Sequence, residues 1–164
     1  MNKLTRLISI ALIALFAVGL VACKKEAPAK AEAPPVAKPA NEDPAAWEAY
    51  VRDVVTRNVE PGTSPYLYYV PGPSTPDFQG EYDRLQEKLD GDLARGTTGD
   101  NVVLAFASPS SAKLADMIVD SFGRVEAGSL KGAKVMFIGD AADSQRVEAA
   151  VTPSGATYKL VEAK

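Results

Sequence analysis

The sequence predicts an α/β fold: a small, mostly parallel four-stranded sheet with helices on its faces, preceded by an N-terminal helix. Two observations lead to this prediction. Apolar runs that suit buried strands alternate with segments whose apolar residues recur every three or four positions. The segment order is a helix, then βαβαβαβ, and strands separated by single helices pair in parallel through right-handed crossovers. The 120 residues of 45–164 suffice for one hydrophobic core.

The first helix is predicted to begin at Asp43 and Pro44, because aspartate is a favourable N-cap and proline is tolerated at the first helical position. It ends before Pro61. Three further helices are indicated by apolar residues at helical spacing, with Asp143 expected to cap the last of them. The inward residues of the four helices are predicted as Trp47, Tyr50, Val51, Val54 and Val55; Tyr82, Leu85, Leu89 and Leu93; Leu114, Met117, Ile118 and Phe122; and Val147 and Val151.

Four strands are predicted between these helices. Residues 101–107 and 133–138 are continuous apolar runs, typical of strands buried on both faces. Residues 157–161 form the last strand. The first, residues 66–70, has prolines on both sides, which favours a short or edge strand.

Composition excludes several functions. The chain of 164 residues has no histidine and one cysteine, so it cannot use Ser–His or Cys–His catalysis, an internal disulfide or a four-ligand zinc site. Residues 45–164 carry 12 basic and 17 acidic groups, a net charge of −5. An acidic domain without a basic cluster is unsuited to nucleic acid. We expect no cofactor and no bound metal.

The N-terminus resembles a bacterial lipoprotein. Lys3 and Arg6 precede the 16 uncharged residues 7–22, shorter than the roughly 20 that span a bilayer. Leu20-Val21-Ala22-Cys23 is similar to a lipobox, in which the signal peptide (residues 1–22) is removed and the cysteine carries lipid such as palmitate. The resemblance implies that Cys23 anchors the protein to a membrane. Lysine rather than aspartate at position 24 favours the inner leaflet of the outer membrane, facing the periplasm.

Residues 24–44 are rich in alanine and proline and carry as many lysines as acids. Such a segment buries too little apolar surface to fold, so with Cys23 it is predicted to be a flexible tether, residues 23–44, before the single domain of residues 45–164.

The carboxyl ends of parallel strands are the usual place for a ligand. The residues at these ends that could form a ligand-binding edge are Ser108, Ser110, Ser111 and Asp140. The plainer interpretation is that Ser110 and Asp143 cap the helices that follow. Ser110 and Lys113 also fit the S-x-x-K pattern of a serine–lysine hydrolase. The companion motifs of those enzymes are absent, so we expect no enzyme activity.

Two other groups of residues are candidates for a site. The carboxylates of Asp90 and Asp92, and of Asp140 with Asp143, could bind a hard cation, but a solvated surface explains them better. The tyrosine-rich segment of residues 66–78 is a candidate partner surface because tyrosines anchor many interfaces. Its residues are Tyr66, Tyr68, Pro73 and Phe78. Alternation along the strand sets Leu67 and Tyr69 on the face opposite Tyr66 and Tyr68, and these two are expected in the core.

These features predict a lipid-anchored, periplasm-facing accessory protein without catalysis that binds an envelope protein, with an immunity protein against a periplasmic toxin as one form of it. The alternative is a domain that binds a small ligand or cell-wall fragment at the strand ends.

Overall fold

A computed structural model describes residues 34–164 except 97, 98 and 100. It confirms the predicted α/β class. In chain order, the elements are α1 (Pro44–Asn58), β1 (Ser64–Tyr69), α2 (Phe78–Ala94), β2 (Val102–Ala107), α3 (Ser111–Phe122), β3 (Lys134–Gly139), α4 (Ala141–Val151), a 3₁₀ turn (Thr152–Ser154) and β4 (Thr157–Glu162).

All strand pairs are parallel, and the spatial order β1-β2-β3-β4 is the same as the order in sequence. Strands β2 and β3 are therefore central and β1 and β4 lie at the edges. The burial of β2 and β3 follows, since only Val102 and Lys134 at their first positions are partly exposed. The prolines around β1 had predicted an edge strand, and this is confirmed.

Helices α2, α3 and α4 pack together on one face of the sheet. Their apolar residues join the side chains of alternate strand positions, among them Leu104, Phe106 and Phe137, in the larger core. The rings of Tyr68 and Phe106 stack there with centroids 5.0 Å apart. The inward residues predicted for α3 and α4 are all buried.

Among the helices of the described residues, α1 is the one that packs on the other face. Trp47, Tyr50, Val51 and Val54 are buried against the opposite side chains of β2 and β3. One helix is narrower than four strands, which are spaced about 4.8 Å apart. Coverage on this face therefore falls off at the edge strands, and this decides which residues of β1 are exposed.

The start of α1 agrees with the prediction. The Asp43 carboxylate accepts a hydrogen bond from the N–H of Ala46 at 3.0 Å, and Pro44 occupies the first helical position. Residues 23–44 were predicted to form a flexible tether, and this is wrong for residues 36–43, which contact the folded domain. The N–H of Lys38 donates to the C=O of Lys164 at 2.9 Å, and the N–H of Val36 donates to Asp53 at 3.1 Å.

Candidate functional site

The four residues predicted as a ligand-binding edge lie together at the carboxyl ends of β2 and β3. The Ser111 hydroxyl accepts a hydrogen bond from the N–H of Asp140 at 2.9 Å and donates one to Asp143 Oδ2 at 2.7 Å. The Ser108 hydroxyl accepts from the N–H of Ser110 at 2.9 Å. Two of the three serine hydroxyls are thus occupied by bonds within the chain.

The Ser111 contact depends on a close approach at Gly139. A Cβ at that position would lie 2.9 Å from the Ser111 hydroxyl and 2.5 Å from the buried ring of Phe137. The small residue lets α3 begin directly against the end of β3. Ser111 therefore links the starts of α3 and α4 by hydrogen bonds within the chain.

The predicted caps differ from the observed ones. Ser110 occupies the N-cap position of α3, but its side chain makes no capping bond. Asp143 lies inside α4, whose N-cap is Asp140, so the prediction for Asp143 is wrong. The apolar pattern of α4 starts late because its first two residues are exposed alanines, and for this reason the helix begins earlier than its pattern indicates.

Asp143 has a second partner in Arg146, whose guanidinium donates to it at 2.8 Å and to Asp116 at 2.6 Å. Burial acts to raise the pKa of the Asp143 carboxyl, but the hydrogen bonds from Ser111 and Arg146 outweigh it, and the pKa is lowered. Asp143 is thus held as a carboxylate. Its role is to join α3 and α4.

Nothing in the described residues assembles the hydrolase or the cation site. Lys113 is exposed on α3, whereas a lysine base needs burial to lower its pKa. Asp90 pairs with Arg124 at 2.7 Å, and Asp92 pairs with Lys88 at 2.6 Å. In this part of the chain, no group of three or more acidic, histidine or cysteine residues could hold a metal ion.

Tyr68 is not part of an exposed surface, and its assignment to a partner surface is wrong. The side chain is fully buried under α2, and its hydroxyl donates to Asp92 Oδ2 at 2.8 Å. Lys88 Nζ lies 4.7 Å from the centre of the ring. Tyr68 is covered because α2 folds back over the strand that precedes it.

Leu67 is also not where the sequence placed it. Alternation correctly set Leu67 and Tyr69 on the face opposite Tyr66 and Tyr68, but Leu67 is 47% exposed rather than in the core. The reason is that α1 does not extend over this part of β1. Tyr69 is half-buried and Tyr66 is 45% exposed.

The predicted partner surface does not form one patch. Pro73 is exposed and Phe78 is half-buried at the start of α2, where its ring lies 5.8 Å from that of Tyr82. Asp92, the partner of Tyr68, is fourteen residues further along α2, or about 21 Å along the helix axis. Phe78 and Pro73 therefore lie toward one end of β1, and Tyr66 toward the other.

The feature that sequence reasoning missed is the open edge of β1. The N–H of Ser64 donates to the C=O of Asn101, just before β2, at 2.8 Å, and the N–H of Val70 donates to the C=O of Ala107 in β2 at 3.0 Å. Alternate residues between them, Tyr66 and Tyr68, therefore also face β2. The N–H and C=O of Leu67 consequently point away from the sheet. The prolines predicted an edge strand. Only the pairing register of β1 with β2 shows which of its backbone groups face outward.

Side chains make this edge unusual. Among the described residues, the exposed large hydrophobic side chains are Val36, Tyr66, Leu67 and Val119, and two of these are neighbours on β1. Strand β1 has no charged residue, whereas the other edge strand, β4, carries Lys159 and Glu162. Charges on an edge strand discourage pairing with another chain, as proline does. Strand β1 lacks the charges, and Pro65 is its one residue of this protective kind.

Cys23 and the whole signal segment lie outside the described residues. In the described part, no helix is both long and apolar enough to cross a bilayer. Comparisons with protein families, with curated proteins and with solved structures found no match to this chain.

Proposed function

We propose that the chain is a lipid-anchored accessory protein of the bacterial envelope whose α/β domain binds a protein segment along the edge of β1. Lipid on Cys23 would hold it at the periplasmic side of the outer membrane. The domain acts by binding, without catalysis. The observation that supports binding at β1 is the pair of exposed side chains, Tyr66 and Leu67, on a strand with unpaired backbone groups.

An incoming extended segment would satisfy the outward N–H and C=O of Leu67 and cover its side chain at the same time. Burying apolar surface contributes roughly 25 cal/mol for each Å² removed from water. The hydrogen bonds supply the register, and the tyrosine and leucine on opposite faces of the strand supply side-chain contacts.

The alternative, a small-ligand domain, receives less support. Its candidate edge is the serine cluster at the ends of β2 and β3, where the hydroxyls of Ser108 and Ser111 already accept backbone N–H groups. A ligand would have to replace these bonds. The β1 edge requires no such exchange.

The test uses the tagged full chain, solubilised from native envelopes in mild detergent, with capture and mass spectrometry. Leu67→Lys places a charge at the centre of the edge, and Val119→Lys changes an equally apolar exposed residue on α3. We expect a stoichiometric bound protein with the wild-type chain and the Val119 variant, and its loss with Leu67→Lys. Equal capture by all three chains would show that β1 is not the binding site.

A further inference from the structure

We propose that the segment bound at β1 is β1 of a second copy of the chain, paired antiparallel about a two-fold axis at Leu67. This rests on the proposed use of the β1 edge and names its partner. Closed two-fold pairs are the commonest form of protein self-association. The pairing would extend the four-stranded sheet into one of eight strands.

The backbone groups fit this arrangement. With Leu67 opposite Leu67 of the second copy, the two residues exchange both N–H···O=C bonds, as in a hydrogen-bonded antiparallel pair. The next outward positions set Tyr69 opposite Pro65, and the Tyr69 N–H of each copy donates to the Pro65 C=O of the other. Pro65 has no N–H to offer, so the pairing relies on its carbonyl alone.

The side chains also fit it. Residues directly opposite on antiparallel strands have Cβ atoms about 5 Å apart, so the two half-exposed Leu67 side chains would cover each other. The domain is acidic, and like charges facing one another would oppose a self-pair. None arises within Ser64–Tyr69, because this strand has no charged residue.

The interface is small, so we expect it to be weak between freely diffusing molecules. Anchoring changes this balance. Two copies on one membrane meet at a high effective concentration, which strengthens association without new contacts. A weak self-pair is therefore sufficient for a protein that is held on a membrane by a tether.

The test is cysteine cross-linking of the full chain in its native membrane with a short bifunctional thiol reagent. In a hydrogen-bonded antiparallel pair the opposed Cα atoms lie about 5.5 Å apart and the Cβ atoms about 5 Å apart, wider than the roughly 3.8 Å between the Cβ atoms of a disulfide but within the span of such a reagent. Leu67→Cys is therefore expected to give a covalent dimer. The side chain is 47% exposed, so the substitution disturbs little packing.

Two matched controls define the register. Ser64→Cys is exposed on the same strand, but in this pairing its copies lie six residues apart along the strands, about 20 Å. Val119→Cys replaces an exposed aliphatic residue on α3. We expect about tenfold more dimer from Leu67→Cys than from either control. The wild-type chain, whose Cys23 thiol would be consumed by the lipid, gives the background.

Equal dimer yields from the Leu67 and Ser64 variants would overturn the self-pair. The proposed function is judged separately. If Leu67→Cys stays monomeric while Leu67→Lys loses a different captured protein, the edge binds a partner other than itself and only this inference fails. If trapping is specific to Leu67 and the captured protein is an untagged copy of the chain, both hold.

Discussion

The phenol of Tyr68 donates a 2.8 Å hydrogen bond to Oδ2 of Asp92, joining the edge strand β1 to the last turn of α2. Asp92 also binds Lys88 and Arg95. The bond fixes Tyr68 beneath α2 and so leaves its neighbours, Tyr66 and Leu67, as the exposed part of the strand. The exposed edge is therefore built on a rigidly held strand.

Adjacent tyrosines should respond differently to loss of the hydroxyl. Tyr68→Phe removes a bond to a charged group, and we expect the free energy of unfolding to fall by about 1 to 3 kcal/mol. The Tyr69 hydroxyl is buried without a hydrogen-bond partner among the described residues, so Tyr69→Phe should leave stability unchanged or raise it slightly. Urea denaturation of both variants measures this, and equal losses would contradict it.

Alkaline pH should weaken the fold through these tyrosines. Burial, with smaller effects from Glu42 and Asp43, raises the pKa of Tyr69 from 10.0 to about 12. Because the folded state keeps the proton more tightly, this stabilisation is complete below pH 10 and is lost as the pH rises toward 12.

Urea midpoints between pH 9 and pH 12 should thus fall less steeply for Tyr69→Phe than for the wild-type chain. Burial also raises the pKa of Tyr68, followed in effect by its bond to Asp92, so part of the decline should persist in the variant. Identical slopes for the two chains would show that Tyr69 does not contribute.

Acid should weaken the fold through carboxylates. The hydrogen bond from Lys88, outweighing burial and helped by Tyr68, lowers the pKa of Asp92 below its ordinary 3.8. The lowered pKa stabilises the fold above pH 3.8 and this contribution is lost as the pH falls through the folded-state pKa. Stability between pH 5 and pH 2 should decline less in Asp92→Asn, and an unchanged decline would contradict the assignment.

The serine cluster offers a second matched pair. Ser111→Ala leaves the Asp140 N–H without its acceptor, and we expect a loss of about 1 to 3 kcal/mol. Ser110→Ala removes a hydroxyl that makes no capping bond, so the change should stay within about 0.5 kcal/mol. Thermal unfolding compares them. A larger loss at Ser110 would mean that it, and not Ser111, holds the helix start.

The anchor has its own prediction. Cys23→Ser removes the thiol that a lipobox cysteine uses for its lipid, so the variant should no longer incorporate fatty acid. Metabolic labelling with a radioactive fatty acid measures the attachment. Persistent labelling of the variant would show that lipid is carried elsewhere.

Apolar spacing was enough to predict the helices, the strands and most of the core, because residues such as Leu114 and Ile118 recur on one side of a helix wherever it packs. Alternation also placed Tyr68 and Leu67 on opposite faces of β1. It could not indicate which face is covered. That depends on α2 folding back over Tyr68 and on α1 stopping short of Leu67, which are properties of the assembled layers.

The serine cluster, too, could be predicted from the sequence only in part. The sequence predicted that Ser111 and Asp140 would lie at the same edge of the sheet, since both follow the carboxyl ends of parallel strands. Their hydrogen bond depends on the approach of α3 to Gly139, which no local pattern encodes. Likewise, the outward-facing backbone groups of β1 could not be identified without its pairing register with β2.

Amide hydrogen exchange, resolved by residue and measured at micromolar protein concentration where weak pairs are dissociated, examines the open edge itself. The N–H of Leu67 should exchange many times faster than those of Tyr66 and Tyr68, which face β2. If the Leu67 amide is as well protected as that of Tyr68, the edge of β1 is already closed and cannot be the binding surface proposed for this protein.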